Sequence, residues 1–268
     1  MHDTDYDRAA EQSARILASA RFVAMLTGAG VSAESGVPTF RDAQTGLWAR
    51  FDPLQLATPT AFANHPKLVW DWYAWRRELV AQVEPNPAHE ALAEIERRVP
   101  DCLLITQNVD GLHRRAGSRK VVELHGNIGR VKCSREGTVV EHWDCTGDDV
   151  PCCAGCGALL RPDVVWFEEM LPPEALAAAE AMARRCDLML VVGTSAEVYP
   201  AAALPSIAKA YGAVVIEINP NATALSPTAD YLLRGPAGSV LPALVRQAWP
   251  ATAPRPVTPG DRSRPPRT

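Results

Sequence analysis

Residues 21–30 read RFVAMLTGAG, a short apolar run that ends in two closely spaced glycines. This is the pattern of a buried strand that passes into a tight glycine turn. Further apolar runs lie at 102–105, 121–124, 188–192 and 214–218. Stretches with helical periodicity lie around them, at 8–19, 66–82, 87–98 and 174–185. Apolar strands with helices between them predict an α/β fold whose doubly wound, Rossmann-like parallel sheet is covered on both faces.

Residues 127–162 interrupt this alternation, because they are polar, rich in cysteine and without helical periodicity. We interpret them as a small inserted domain within a catalytic domain that spans 20–249. Residues 1–19 are predicted as an N-terminal helical segment. Residues 250–268 are rich in proline and arginine and are predicted to be a disordered tail.

The composition argues against several classes of protein. The 268 residues carry 27 Lys and Arg against 31 Asp and Glu, so we expect no binding to nucleic acid. The apolar runs are too short to span a membrane, and the acidic start has no apolar stretch of a secretory signal. A cytoplasmic protein is therefore expected. Seven cysteines argue against a disulfide framework, and five of them within 24 residues favour a local metal site.

Polar or glycine-containing segments follow each predicted strand, where the carboxyl ends of parallel strands meet. They read GAGVSAESGVPTFR at 28–41, TQNVDGLH at 106–113, HGN at 125–127, GTS at 193–195 and NPN at 219–221. Glycines allow a close approach of the backbone to a pyrophosphate. The spacing differs from the GxGxxG of dehydrogenases, since the third glycine comes only at Gly36. A cofactor crevice at this edge is the prediction.

These motifs, together with LRPDVVWFEEML, GTSAEVYP and EINP, resemble those of the sirtuins, which are NAD-dependent protein-lysine deacylases. The resemblance covers residues 20–247. It implies a domain that binds NAD, a small ribbon that binds structural Zn²⁺, and acylated-lysine proteins as substrates. The family reaction yields nicotinamide, free lysine and 2′-O-acyl-ADP-ribose. An ADP-ribosyltransferase on the same fold and a non-catalytic module that binds ADP-ribose are the alternatives.

The resemblance also assigns residues. His125 matches the general base, with Asn108 and Asp110 as further catalytic residues. A neutral imidazole suits a base at pH 7, because its usual pKa is about 6.5. A histidine with only a structural role is the alternative for His125, and His113 is expected to be structural. The cofactor-binding residues implied are Gly28, Ala29, Gly30, Ser32, Glu34, Phe40, Arg41, Trp48, Gln107, Asn108, Val109, Asp110, Gly193, Thr194, Ser195, Asn219 and Ala237.

The predicted helix at 66–82 contains two residues that indicate which acyl group is recognised. Tyr73 and Arg76 are three residues apart and so share one face of a helix. Tyr-x-x-Arg here, with the small Ala57, resembles class III sirtuins, which remove succinyl, malonyl and glutaryl groups; acetyl is a further candidate. Arg76 would bind the acyl carboxylate and Tyr73 would donate one more hydrogen bond. On spacing alone, a solvated arginine beside a half-buried tyrosine is the simpler interpretation. The substrate backbone is expected along Val164, Trp166 and Phe167.

Two positions depart from the sirtuin pattern. Glu136 stands where the second cysteine of the first CxxC pair is usual, so the metal ligands are predicted as Cys133, Cys153 and Cys156. The fourth is left open between Cys145, Cys152 and Glu136, with Cys145 favoured, and a ribbon without metal is an alternative. Glu168 replaces a usual glycine, which costs about 1 kcal/mol or more if the backbone there has a positive φ.

Overall fold

A computed structural model describes residues 3–37, 52, 56–140, 142–143 and 149–250. Its main sheet has six parallel strands in the spatial order β3-β2-β1-β7-β8-β9. The strands are β1 (Phe22–Thr27), β2 (Asp101–Thr106), β3 (Val121–Glu123), β7 (Leu188–Val192), β8 (Val214–Ile218) and β9 (Tyr231–Leu233). The order reverses at β1, whose Val23 lies opposite Cys102 on one side and Leu188 on the other. Such a reversal leaves a crevice at the carboxyl ends of the strands.

Helices lie between these strands, and two of those described begin at a residue whose side chain caps them. Asn86 caps its helix by accepting a hydrogen bond from the backbone of Ala88, and Thr58 accepts one from Ala61. Proline occupies the first turn of several helices, where its missing N–H costs nothing. The helices are α1 (Asp3–Ser19), α2 (Ala29–Ala33), α3 (Pro59–Asn64), α4 (Pro66–Gln82), α5 (Pro87–Arg98), α6 (Leu112–Arg115), α7 (Pro173–Arg185), α8 (Leu204–Ala210) and α9 (Ala237–Ala248).

Hydrophobic cores cover both faces of the main sheet. Met25 of β1 packs in one core with Leu17 of α1 and Leu92 of α5. Its neighbours Ala24 and Leu26 point to the opposite face and join a second core with residues of α7 and α8. Successive strand side chains alternate between faces, and here both sets are apolar and buried. The predicted doubly wound α/β fold is therefore confirmed.

A second, antiparallel sheet contains three strands, β4 (Gly126–Cys133), β5 (Val139–Val140) and β6 (Leu160–Val164), in the order β5-β4-β6. A third core joins this sheet to α3 and α4, with Phe62, Trp72 and Trp166 among its members. This sheet occupies the stretch that the sequence singles out as an insertion, and it is the part of the structure that holds the cysteine cluster.

Predicted and observed elements agree closely in the main sheet and its helices. The structure has the predicted helices at 66–82 and 87–98, and the strands at 188–192 and 214–218, with those bounds. The prediction was wrong or incomplete elsewhere: α1 begins at Asp3 rather than residue 8, and the strand β9 and the helices α2, α3, α6, α8 and α9 were not predicted. Residues 251–268 lie outside the described residues, so the predicted tail stays a prediction. None of the helices described here is long and apolar enough to cross a membrane.

Candidate functional site

The backbones of two neighbouring strand ends touch without side chains between them. Gly30 N donates a hydrogen bond of 2.8 Å to Gly193 O, and Gly28 N donates one of 3.1 Å to Val192 O. A Cβ at Gly30 would lie 2.8 Å from Gly193 O, and one at Gly193 would lie 2.5 Å from Val31 N. Gly30 and Gly193 are thus required by the contact between the ends of β1 and β7. The sequence suggests a second reason for glycine, which is a close approach of the backbone to a ligand.

A cleft of about 510 Å³ opens beside this contact. Among the residues predicted to bind the cofactor, it brings together Gly30, Glu34, Gly193, Thr194, Ser195, Asn219 and Ala237. The Asn219 amide donates a hydrogen bond of 3.1 Å to Thr194 O, which joins the ends of β7 and β8. Glu34 lines the cleft and also accepts a hydrogen bond from Gly238 N in the first turn of α9, at 2.8 Å. Its carboxylate therefore has a structural partner as well.

Next to the cleft, four buried side chains form one hydrogen-bonded group. The Asn108 amide donates to Gly28 O at 3.1 Å and to Ser32 Oγ at 3.0 Å, and Ser32 Oγ donates to Asp110 Oδ2 at 2.7 Å. Burial raises the pKa of Asp110, while the bonds from Ser32 and Leu112 N lower it. The fourth member is His89, whose Nε2 lies 3.4 Å from Ser32 Oγ.

His89 was not singled out by the sequence, which shows it only as one residue of the amphipathic helix α5. Its Nδ1 accepts a hydrogen bond from Asn86 N at 3.2 Å, so a neutral ring carries its proton on Nε2 and donates to Ser32. Burial lowers the pKa of His89 to about 4. The ring of His113 lies 4.8 Å away and is bonded to Thr27 Oγ1 at 2.9 Å. His113 is buried in the sheet edge, as expected of a structural histidine.

His125 lies at the end of β3, on the same edge of the sheet. Its Nδ1 is 2.9 Å from Gln107 O, a carbonyl that can only accept, so Nδ1 carries the proton and Nε2 keeps a lone pair. Burial lowers the pKa of His125 and the bond to Gln107 opposes this shift. The Gln107 amide donates to Thr194 Oγ1 at 3.0 Å, which connects the histidine to the cleft. The ring is thus held as a neutral base at pH 7.

Four of the six residues predicted to recognise the acyl group and its lysine lie in one apolar cluster. Ala57, Tyr73, Val164 and Trp166 are all buried in the third core. Trp166 Nε1 donates a hydrogen bond of 3.0 Å to Tyr73 Oη, and Phe167 N donates one of 3.0 Å to Ala57 O. Tyr73 is therefore buried rather than half-buried, which corrects the simpler interpretation from spacing.

Arg76 lies one helical turn beyond Tyr73, and its guanidinium carbon is 5.1 Å from the centre of the Trp72 ring. Burial lowers the pKa of Arg76, so the side chain is partly removed from water. Burial also raises the pKa of Tyr73, while the nearby charge of Arg76 opposes this rise. A phenol whose oxygen already accepts one bond keeps its hydrogen for a second partner. The two side chains thus lie one helical turn apart, and both are removed from water to a large extent.

Glu168, which replaces a usual glycine, adopts the left-handed backbone conformation that favours glycine. Its φ is +73°, and its side chain is exposed. The next residue, Glu169, is fixed by Arg161 at 2.5 Å and by Trp166 N at 2.8 Å. Arg161, which the sequence did not mark, is buried and lies 3.3 Å from the centre of the Trp166 ring. These bonds hold the segment after β6 in place despite the strain at Glu168.

Three cysteines and one glutamate form a cluster in the antiparallel sheet. The ligand atoms of Cys133, Glu136, Cys153 and Cys156 all lie within 4.8 Å of one another. Two turns of matching geometry supply them: Gly137 N donates to Cys133 O at 2.9 Å, and Gly157 N donates to Cys153 O at 2.8 Å. Gly137 and Gly157 have φ values of +71° and +70°. Glu136 thus holds the place in its turn that Cys156 holds in the other.

Cys152, one of the three alternatives for the fourth ligand, is exposed and is not a member of this cluster. Cys145, the favoured alternative, lies outside the described residues, as do Phe40, Arg41 and Trp48 of the predicted cofactor loop. The predictions for those four residues stay predictions.

The chain was compared with known proteins. The model of a family described as the Sir2 family matches residues 28–200. An NAD-dependent protein deacylase 2 of Pyrobaculum aerophilum is 54% identical over 234 residues, which cover 87% of this chain and 94% of that protein. A crystal structure of a Sir2 homologue in complex with NAD has a TM-score of 0.84 at 51% identity, covering 89% of this chain and 93% of that one. A structure of Sir2 bound to acetylated peptide has a TM-score of 0.79 at 31% identity and covers 92% and 98%.

Proposed function

The chain belongs to the Sir2 family, and we propose that it is an NAD-dependent protein-lysine deacylase that prefers acyl groups ending in a carboxylate. The observation that carries the proposal is the neutral, oriented His125 beside the cleft formed by the strand ends. Similarity to a structure that contains NAD and to one that contains an acetylated peptide supports NAD and acyl-lysine proteins as the two substrates.

Bound NAD would supply a ribose carbon that bonds to the acyl oxygen as nicotinamide leaves, and a ribose hydroxyl that then captures the acyl group. His125 accepts the proton of that hydroxyl at Nε2, while the bond from Nδ1 to Gln107 O keeps the ring oriented. The buried group of Ser32, Asn108 and Asp110 fixes polar side chains beside the cleft, so little reorganisation is needed during reaction. We assign Asn108 and Asp110 to the nicotinamide side, Ser32 to the pyrophosphate and ribose, and Asn219 and Ala237 to the adenosine side.

Arg76 and Tyr73 support a preference for succinyl and malonyl groups, with glutaryl and acetyl as poorer candidates. Both donors are partly or wholly removed from water, and desolvated donors attract a carboxylate more strongly than exposed ones. Ala57 belongs to the same buried cluster, and the resemblance to class III sirtuins associates a small residue at this position with a longer acyl chain. Loss of one charged hydrogen bond costs about 1.5–3 kcal/mol, so an acetyl group should react about 10 to 150 times less efficiently.

A structural zinc ion held by Cys133, Cys153, Cys156 and Glu136 is part of the proposal. The donor set fits, since zinc accepts thiolates and carboxylates in a tetrahedron and the four atoms already converge. Metal analysis of the purified protein should give one zinc per chain. Glu136→Ala should lower this ratio in the presence of a mild chelator, whereas Cys145→Ser and Cys152→Ser should not. Loss of zinc on replacing Cys145 would instead identify that cysteine as the fourth ligand.

The decisive experiment incubates the protein and NAD with peptides bearing acetyl-, malonyl-, succinyl- or glutaryl-lysine, followed by mass spectrometry. We expect free lysine and O-acyl-ADP-ribose in equal amounts, fastest with the acidic acyl groups. His125→Ala should abolish both products while ADP-ribose still binds. Addition of ADP-ribose mass to a protein would instead support a transferase. Binding of NAD with no turnover of any peptide would support a non-catalytic module.

A further inference from the structure

An ion pair between the buried Glu217 and the half-buried Arg234 lies behind the adenosine side of the cleft. Glu217 of β8 is 1% exposed, although β8 is otherwise an apolar strand in the middle of the sheet. Its carboxylate accepts hydrogen bonds from Thr223 Oγ1, from Ser226 Oγ at 2.6 Å and from Arg234 Nη1 at 3.3 Å. Arg234, just beyond β9, also donates to Ser226 Oγ at 2.9 Å. One carboxylate thus joins three residues from the region between β8 and α9.

Arg234 connects this pair to the loop that lines the cleft. Its Nη1 donates to Asn221 O at 2.9 Å and lies 3.5 Å from Asn219 O. The loop of residues 219–223 forms one side of the cleft, opposite Gly193, Thr194 and Ser195. The carbonyls that the guanidinium binds therefore belong to the residues that shape the adenosine side. Asn221 N in turn donates to Asn219 Oδ1 at 3.2 Å, which fixes the Asn219 side chain.

Stability alone is a poor reason for such a pair. A buried carboxylate loses much of its hydration, its half-buried guanidinium partner loses part, and apolar residues of similar volume at such sites are often equally stable. The pair does provide directional bonds to two loop carbonyls, which apolar side chains cannot supply. A loop whose carbonyls are bound by a guanidinium nitrogen is restrained in the free protein, so less ordering is needed when a ligand binds.

We infer that Glu217 and Arg234 are positioning residues that set the 219–223 loop for the adenosine half of NAD. Neither needs to touch the ligand: Arg234 holds the loop carbonyls and Glu217 holds Arg234. This inference rests on the proposed NAD site, and it adds two residues that the motif analysis leaves without a role. Loss of the Glu217–Arg234 pair should therefore weaken binding of the nucleotide, and it should leave the chemistry at His125 and recognition of the acyl group intact.

The test measures binding of ADP-ribose by calorimetry, together with KM for NAD and kcat for the acyl-peptide reaction. Arg234→Met should weaken ADP-ribose binding about tenfold or more and raise KM for NAD to match, because both carbonyls lose their donor. At saturating NAD, kcat and KM for the peptide should stay within about twofold. Arg234→Lys keeps a charge for Glu217 but offers no fork, so it should fold well and still weaken ADP-ribose binding.

Lys209→Met is the matched control. Lys209 forms an exposed ion pair with Asp230 at 2.5 Å, next to the same strands but away from the cleft. It should lower the thermal midpoint slightly and leave ADP-ribose binding unchanged. If both Arg234 variants bind ADP-ribose like the wild type while losing thermal stability, the pair is only structural and the inference is wrong, although deacylation would stand. If the wild type binds no ADP-ribose, the proposed NAD site and the inference fail together.

Discussion

Replacement of Arg76 by methionine tests the proposed acyl preference most directly. The side chain lies one turn from Tyr73 on α4, with its guanidinium 5.1 Å from the centre of the Trp72 ring. Methionine has a similar length and keeps the apolar contact with Trp72, but it cannot bind a carboxylate. The substitution therefore removes the anion-binding group with little change in the shape of the cluster.

The expected size of the effect is worked from two interactions of Arg76, the proposed bond to the acyl carboxylate and the contact with Trp72. Loss of a desolvated charged bond to the acyl carboxylate costs about 1.5–3 kcal/mol, which lowers kcat/KM for a succinyl peptide by about 10 to 150 times. Loss of the contact with Trp72 costs about 0.5–2 kcal/mol. That second cost reduces the stability of the protein and affects all acyl groups equally. The ratio of succinyl to acetyl activity therefore isolates the carboxylate.

The assay compares kcat/KM for succinyl and acetyl versions of one peptide at saturating NAD. Lys67→Met is the control, because Lys67 is on the same helix and pairs with Asp71 at the surface. The control should leave the ratio unchanged, and Arg76→Met should lower it at least tenfold. Equal losses for both peptides would mean that Arg76 supports the helix and does not recognise the acyl group.

Three further predictions concern protonation and backbone strain. Burial lowers the pKa of His125 below its usual value, so kcat/KM should be flat above pH 7 and fall only below about pH 6.5 as the imidazolium forms; a decline beginning above pH 7 would contradict a lowered pKa. Burial lowers the pKa of His89 to about 4, so between pH 6.5 and 4 the unfolded chain binds more protons than the folded one. His89 should lower the free energy of unfolding, measured with urea, by about 3 kcal/mol as the pH falls across this range; His113, whose pKa burial also lowers, adds to the fall, and His89→Asn should reduce the dependence. Glu168→Gly should raise the free energy of unfolding by up to about 1 kcal/mol by relieving the φ of +73°, with Ala196→Gly, at φ +56°, as comparison; a loss of stability in both would contradict the strain argument.

The main sheet was predictable because its central strands are apolar on both faces. Leu188–Val192 and Val214–Ile218 have no competing interpretation as amphipathic helices, and their predicted bounds are correct. The edge strand Tyr231–Leu233 has only three residues, two of them half-buried, so it gave no periodic signal. The last helix, Ala237–Ala248, begins in a Gly-Pro-Ala-Gly stretch and contains Pro242, and both features disguise a helix.

The site could be predicted only as far as its motifs extend. Motifs give the residue types at the strand ends, but hydrogen bonds across the sheet depend on register that a single sequence does not contain. His89 illustrates this limit, since it lies 57 residues from Ser32 and meets it only after folding. Arg161 and Glu217 are similar: each is a charge in a buried strand, which indicates a partner without naming it. Their oppositely charged partners, Glu169 and Arg234, lie eight and 17 residues away.

The contact between Gly30 and Gly193 has a consequence for any attempt to redesign this protein. The floor where these two turns meet is made of main-chain atoms, with no space for even a methyl group. Libraries aimed at altered nucleotide preference should therefore leave the floor unchanged and vary the walls, where side chains such as Ser195 and Asn221 project. Variants selected for new ligands should carry their substitutions among the side chains that line the cleft, and should keep Gly30 and Gly193.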